Sequence, residues 1–221
     1  MASTTTAQKF TLKEFSISEI LSTSWHVFKD NWKELAIFII VYLLAVQVPM
    51  MLVNRVLSRG PLLSLLRLVL SVWNVYVGLG SIKYMLAFIR GQKPEIAKIF
   101  DNASEFVPFL IMYLRFMLVI FLGMIAFIIP GIYFSFKYAY VLILVADGKA
   151  AGSEAFVMSG QMTEGRKLTL FLYGIVSCFL VLVGMIAFVI PGLIAATVVG
   201  LGGMLTYQYL LDHKSSVSKA A

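Results

Sequence analysis

With 60% of its 221 residues apolar, 13% charged and a mean hydropathy of +0.91, this chain lies outside the composition of a water-soluble domain. Its formal charge of +7 and pI near 9.5 would suit a nucleic-acid partner only if the cations formed a stripe. They fall instead between long apolar runs, a pattern of membrane topology that excludes nucleic acid. The lone Cys178 lies inside an apolar run and removes disulfide frameworks and CxxC metal or redox sites.

The expectation is an all-α polytopic membrane protein, residues 1–221 forming one transmembrane domain of six spans in three hairpins. The first dozen residues are polar and the first long apolar run opens near Leu35, so a cleavable signal peptide is not expected. An amphipathic segment over 16–34 comes first: Leu21, Trp25, Phe28, Trp32 and Leu35 recur at four, three, four and three residues, one face of a helix. Ser16 and Glu19 offer a capping box at its start. Two spans follow at about 35–54 and 62–88, the second carrying Arg67 and Lys83 near opposite ends, within reach of headgroups. Asn74 and Gly78 share a face of that span, which suits an interhelical hydrogen bond.

A second amphipathic segment, 94–104, opens at Pro94 and places Ile96, Ile99, Phe100 and Ala103 on its apolar stripe. The 41 residues from Phe106 to Ala146 then carry only Arg115 and Lys137, with Pro130 and Gly131 between them, giving spans at about 106–129 and 131–146. A third amphipathic segment, 153–165, has a weaker stripe of Ala155, Met158, Ser159 and Met162. The firmest evidence for hairpins is Leu168–Leu211, 44 residues without an Asp, Glu, Lys or Arg. As one helix it would be about 66 Å long against a hydrocarbon core of about 30 Å, so it must fold back, and Pro191 with Gly192 marks the place. The spans are then about 168–190 and 193–211.

Twelve connecting cations (Lys9, Lys13, Lys29, Lys33, Arg90, Lys93, Lys98, Lys149, Arg166, Lys167, Lys214 and Lys219) fall at one end of the spans, against Arg55 and Arg59 at the other. All eleven acidic residues share the basic end, which the positive-inside pattern assigns to the cytoplasm together with both termini. The segments GMIAFIIPGI (123–132) and GMIAFVIPGL (184–193) match at eight of ten positions at an offset of 61, an internal repeat in parallel orientation.

The order of amphipathic helix, hairpin and IPG turn, the stretch from Phe136 to Asp147-Gly148, and the spacing Ala155, Ser159, Met162, Gly165 resemble the glycerophosphoryl diester phosphodiesterase membrane-domain family and related uncharacterised six-span bacterial proteins. Some members of that family carry a C-terminal barrel that performs the hydrolysis. This chain runs to Ala221 without such a barrel, so the resemblance transfers no enzymatic activity and implies a bacterial cytoplasmic-membrane protein of unassigned role.

The chain carries no HExxH, phosphate-binding Gly-Lys loop or nucleophile motif, so no catalytic residue, cofactor or metal ligand is expected. The candidate anion or lipid contacts are Arg67, Arg115 and Lys137. On ideal rise Arg115 and Lys137 lie roughly 22 and 10 Å from the turn at Pro130, flanking the midplane. They either meet an anionic headgroup, a phosphate-bearing solute or exposed carbonyls, or they snorkel to the nearer surface. Gly192, Ala196 and Gly200 recur every four residues as a helix-packing face whose partner is either this chain or a second copy. Two functions remain: a non-enzymatic module that engages lipids, anionic ones included, or partner proteins, and a small carrier or lipid translocator for an anionic or neutral substrate.

Overall fold

In the computed structural model, residues 10–56 and 60–219 are described, with no side-chain description for Ala126, Ile128 or residues 214–219. Lys9 and Arg59 of the cation count lie outside the described residues. The elements are α1 (Ile17–Asp30), α2 (Trp32–Val56), α3 (Pro61–Ile89), a short 3-10 turn (Ile96–Phe100), α4 (Ala103–Ala126), α5 (Ile128–Lys137), α6 (Val141–Ala146), α7 (Gly152–Met162), α8 (Lys167–Ala187) and α9 (Val189–Lys219). No strand occurs among the described residues. Six stretches are long and apolar enough to cross a bilayer: 32–56, 61–89, 103–125, 129–146, 167–187 and 189–213.

The hairpin turns fall three residues before the prolines, at Phe127 and Phe188, both in extended backbone. A proline ring collides with the carbonyl four residues earlier, and those residues are Ala126 and Ala187, the last of α4 and α8. Pro130 and Pro191 thereby enter the first turn of the following helix, where a missing N–H costs nothing. Proline alone does not force the break, because α2 continues through Pro49 and α4 through Pro108. Glycine completes it. A Cβ on Gly184 would lie 2.9 Å from the Gly192 Cα, and one on Gly123 would lie 3.1 Å from the Gly131 Cα, so each hairpin closes backbone against backbone. The two turns also share their hydrogen bonds: Phe127 and Phe188 donate to Gly123 and Gly184 carbonyls at 3.1 and 3.0 Å.

The fourth span is broken. Helix α5 stops at Lys137, three residues of turn follow, and α6 resumes at Val141. The 3-10 turn replaces the amphipathic α-helix expected at 94–104: Ile99 is buried, its carbonyl filling the space beside Gly80 that any Cβ there would claim. Tyr76 donates from α3 to the Phe100 carbonyl and accepts from the Asn102 backbone at 3.2 Å, fixing that connection.

Ser16 caps α1, accepting from the Glu19 N–H at 3.3 Å. The inward face of α1 keeps only part of the expected stripe, with Phe28 buried and Leu21 packed against the core. Ile20, Ser24, Val27 and Phe28 are buried, whereas Trp25 and Trp32 are 45% and 56% exposed. The reason lies on α9, where Gly202 leaves a notch: a Cβ there would lie 3.0 Å from both Ile20 Cγ2 and Ser24 Oγ. Close approach selects the face with small Ser24, and turns Trp25 outward. Helix α7 keeps most of its expected stripe, with Ala155, Ser159 and Met162 buried.

The core gathers at the basic end, where Ile20, Leu35, Leu86, Ile89, Leu144, Leu201, Leu205 and Tyr207 are buried together. The hairpin arms beyond it present Leu65, Leu68, Phe121, Ile125, Ile186 and Phe188 outward. Apolar exposure on that scale suits hydrocarbon as solvent, since in water each such side chain forgoes about 1.5–3 kcal/mol of burial.

Candidate functional site

The three hairpins meet in a polar node at the basic end. Arg90 caps the C-terminus of α3 and Asp147 that of α6, and each is followed by a glycine in left-handed backbone, Gly91 (φ 77°) and Gly148 (φ 65°). Both ends are Schellman turns: Gln92 donates to Ala87 and Lys149 to Leu144, at 3.0 and 2.9 Å. The glycines end the helices where the next chain segment must turn, and leave the capping side chains facing each other. The Arg90 guanidinium then grips Asp147 with both terminal nitrogens, at 2.6 and 2.7 Å. Tyr207 on α9 donates to Asp147 Oδ2 at 2.9 Å, Arg90 Nε donates to Gln208 at 3.0 Å, and Gln208 donates to Asp212 at 2.9 Å.

Electrostatics explains why these partners are needed. A carboxylate at a helix C-terminus opposes the partial negative charge there, whereas an arginine is favoured. Asp147 is 7% exposed, so it also loses hydration, and the Arg90 fork with the Tyr207 hydroxyl restores its bonding. The hydrogen bond to Asp147 raises the Arg90 pKa above its ordinary value, and the guanidinium stays charged. The node fixes one hairpin to the next.

The candidate cations do not converge. Arg67 sits near the first hairpin turn and donates to Asn54 at 2.8 and 3.1 Å, tying α3 to α2. Arg115 is exposed on α4 and has no hydrogen-bond or ion-pair partner among the described residues. Lys137 ends α5 at the basic end, its carbonyl accepting from Ser159 and Thr163 at 3.1 and 3.2 Å. It shares a cleft of about 420 Å³ with Lys167, Tyr133 and Glu164. Lys83, read as reaching for headgroups, instead pairs with Glu105 at 2.8 Å.

Asn74 lines a different cleft of about 320 Å³ with Tyr113 and Phe109, and its buried Oδ1 has no partner among the described residues. Of the small-residue face, Gly192 packs on Met185 within its own hairpin, Ala196 lines a cleft with Phe38 and Met85, and Gly200 lies 3.5 Å from Met85 if given a Cβ. The polar node itself was not singled out from sequence, where Arg90 and Asp147 served as a topology marker and part of a resemblance. The one local signal for it is the pair of dipeptides Arg90-Gly91 and Asp147-Gly148, each directly after an apolar run.

Fold and composition define a multi-pass, all-α membrane protein. Compared with protein families, curated proteins and solved structures, the chain matches none.

Proposed function

We propose that this chain is a non-enzymatic membrane module that engages lipids or partner proteins through its basic end. That end faces the cytoplasm of a bacterial cell with both termini, and the kinship is with the glycerophosphoryl diester phosphodiesterase membrane domains, not with the barrel that performs the hydrolysis. The second and third hairpins are copies of one unit, a reading supported by matching turns at Phe127 and Phe188. The observation that carries the proposal is the construction of the basic end. Three hairpins are joined there by Arg90, Asp147, Tyr207 and Gln208, while Trp25 and Trp32 stay exposed beneath Lys29 and Lys33, each ammonium 5.9 Å from its ring. Exposed Trp with Lys is the arrangement that anchors a helix at a bilayer interface.

A second reading, a small carrier or lipid translocator, draws on the unpartnered Asn74 oxygen in the cleft between α3 and α4. Reconstitution into vesicles loaded with anionic and neutral solutes, and with labelled lipids, separates the two. The module reading predicts no protein-dependent movement. Flux that Asn74→Leu abolishes would overturn it in favour of the carrier.

A further inference from the structure

We propose that Lys137, Lys167 and the apolar groove beside them form a binding site for one anionic glycerophospholipid, a deepening that rests on the lipid-engaging reading above. The backbone of Lys137 is fixed by the Ser159 and Thr163 hydroxyls, so the start of its side chain is set. Gly160 then gives the stem a path along α7: a Cβ there would stand 3.2 Å from Lys137 Cε. The ammonium ends 5.4 Å from the Tyr138 ring. Lys167, the first residue of α8, donates to the Tyr133 hydroxyl at 2.8 Å and lies over that ring at 4.8 Å.

Neither lysine has an ion-pair partner among the described residues. Glu164, which is exposed, is the acid lining their cleft, so the cleft keeps a net positive charge. Two lysines and a tyrosine hydroxyl at a membrane interface are suited to phosphate oxygens.

The lipid identity comes from what adjoins them. A second cleft, about 450 Å³, is lined by Ile129, Ile132, Phe136, Leu168 and Phe171 and shares Tyr133 and Lys167 with the first. It opens outward, Ile129 being 79% and Leu168 71% exposed. A ligand filling both must join an anionic phosphate headgroup to long apolar chains. Inorganic phosphate would use only the cationic part, and a neutral lipid only the groove.

The test is lipid retention by the full chain, purified from mixed vesicles of phosphatidylglycerol and phosphatidylcholine and read by native mass spectrometry. The site predicts preferential retention of phosphatidylglycerol. Lys137→Gln with Lys167→Gln should lower it at least about tenfold, and Arg115→Gln should leave it unchanged. Leu168→Gln, a neutral polar change at a 71% exposed position lining the groove, should lower it by a similar factor without altering the charge of the cleft. Equal retention of both lipids, full retention by the double lysine variant, or complete displacement by inorganic phosphate would each overturn the site. The vesicle flux result is separate: transport with lysine-dependent lipid retention defeats the module reading and leaves the site standing.

Discussion

Arg90 and Asp147 stand 57 residues apart in sequence, yet each closes a helix with a Schellman glycine and the two meet in a doubly hydrogen-bonded ion pair. Removing one member exposes what the other depends on. Arg90→Ala leaves a nearly buried carboxylate at a helix C-terminus. The expected loss is about 2–3 kcal/mol, toward the low end for such pairs because Arg90 is itself 27% exposed. Tyr207→Phe should cost about 1 kcal/mol. Replacing both Arg90 and Asp147 by alanine should cost less than the two single changes added together. Unfolding in mixed micelles measures all four, and strict additivity would show that the pair is not coupled.

Gly202 and Gly203 are neighbours with opposite expectations. A methyl on Gly202 would overlap the Tyr173 hydroxyl and press on Ile20 and Ser24, so Gly202→Ala should destabilise by about 1–3 kcal/mol and loosen α1 from α9. Nothing lies within 4 Å of a Cβ on Gly203, and Gly203→Ala should be neutral or stabilise by up to about 1 kcal/mol through helix propensity. Melting temperatures of the two variants decide this; equal shifts would contradict the packing of α1.

The same contrast recurs on α3. Gly80→Ala would force the Ile99 carbonyl away and should raise protease cleavage in the 96–100 turn, with a stability loss of about 1–3 kcal/mol. Gly78→Ala, with open space around its Cβ, should leave both unchanged. Limited proteolysis followed by mass analysis reads the difference.

How far the sequence reaches is clearest at the hairpin turns. Charge-free length required Leu168–Leu211 to fold back, and Pro191-Gly192 pointed to the region, but the turning residue is Phe188. The offset is physical: proline acts on the carbonyl four residues earlier, and the glycine pair Gly184 and Gly192 decides that the chain closes there. On α1 the periodicity located the helix and found Phe28 and Leu21 but not Ile20, Ser24 and Val27 on its inward face. Hydrophobicity ranks Trp25 above Ser24, whereas close contact at Gly202 favours the smaller residue. Ideal rise from Pro130 places Lys137 beside the midplane of a continuous span; α5 instead ends at Lys137, whose side chain lines a cleft with Lys167 at the start of α8. The Arg90 node was out of reach for another reason. A contact between residues 90, 147 and 208 leaves no local pattern in a single sequence beyond two helix-ending glycines.

The topology of three hairpins with one basic end is tested most directly by cysteine accessibility. With Cys178 replaced by alanine, single cysteines at Ser58, between α2 and α3 in sequence, and at Ser104, at the start of α4, are exposed to a membrane-impermeant thiol reagent in right-side-out and inverted vesicles. The account predicts labelling of Ser58→Cys only from the outside and of Ser104→Cys only from the cytoplasmic side. Labelling of both from one side would contradict it.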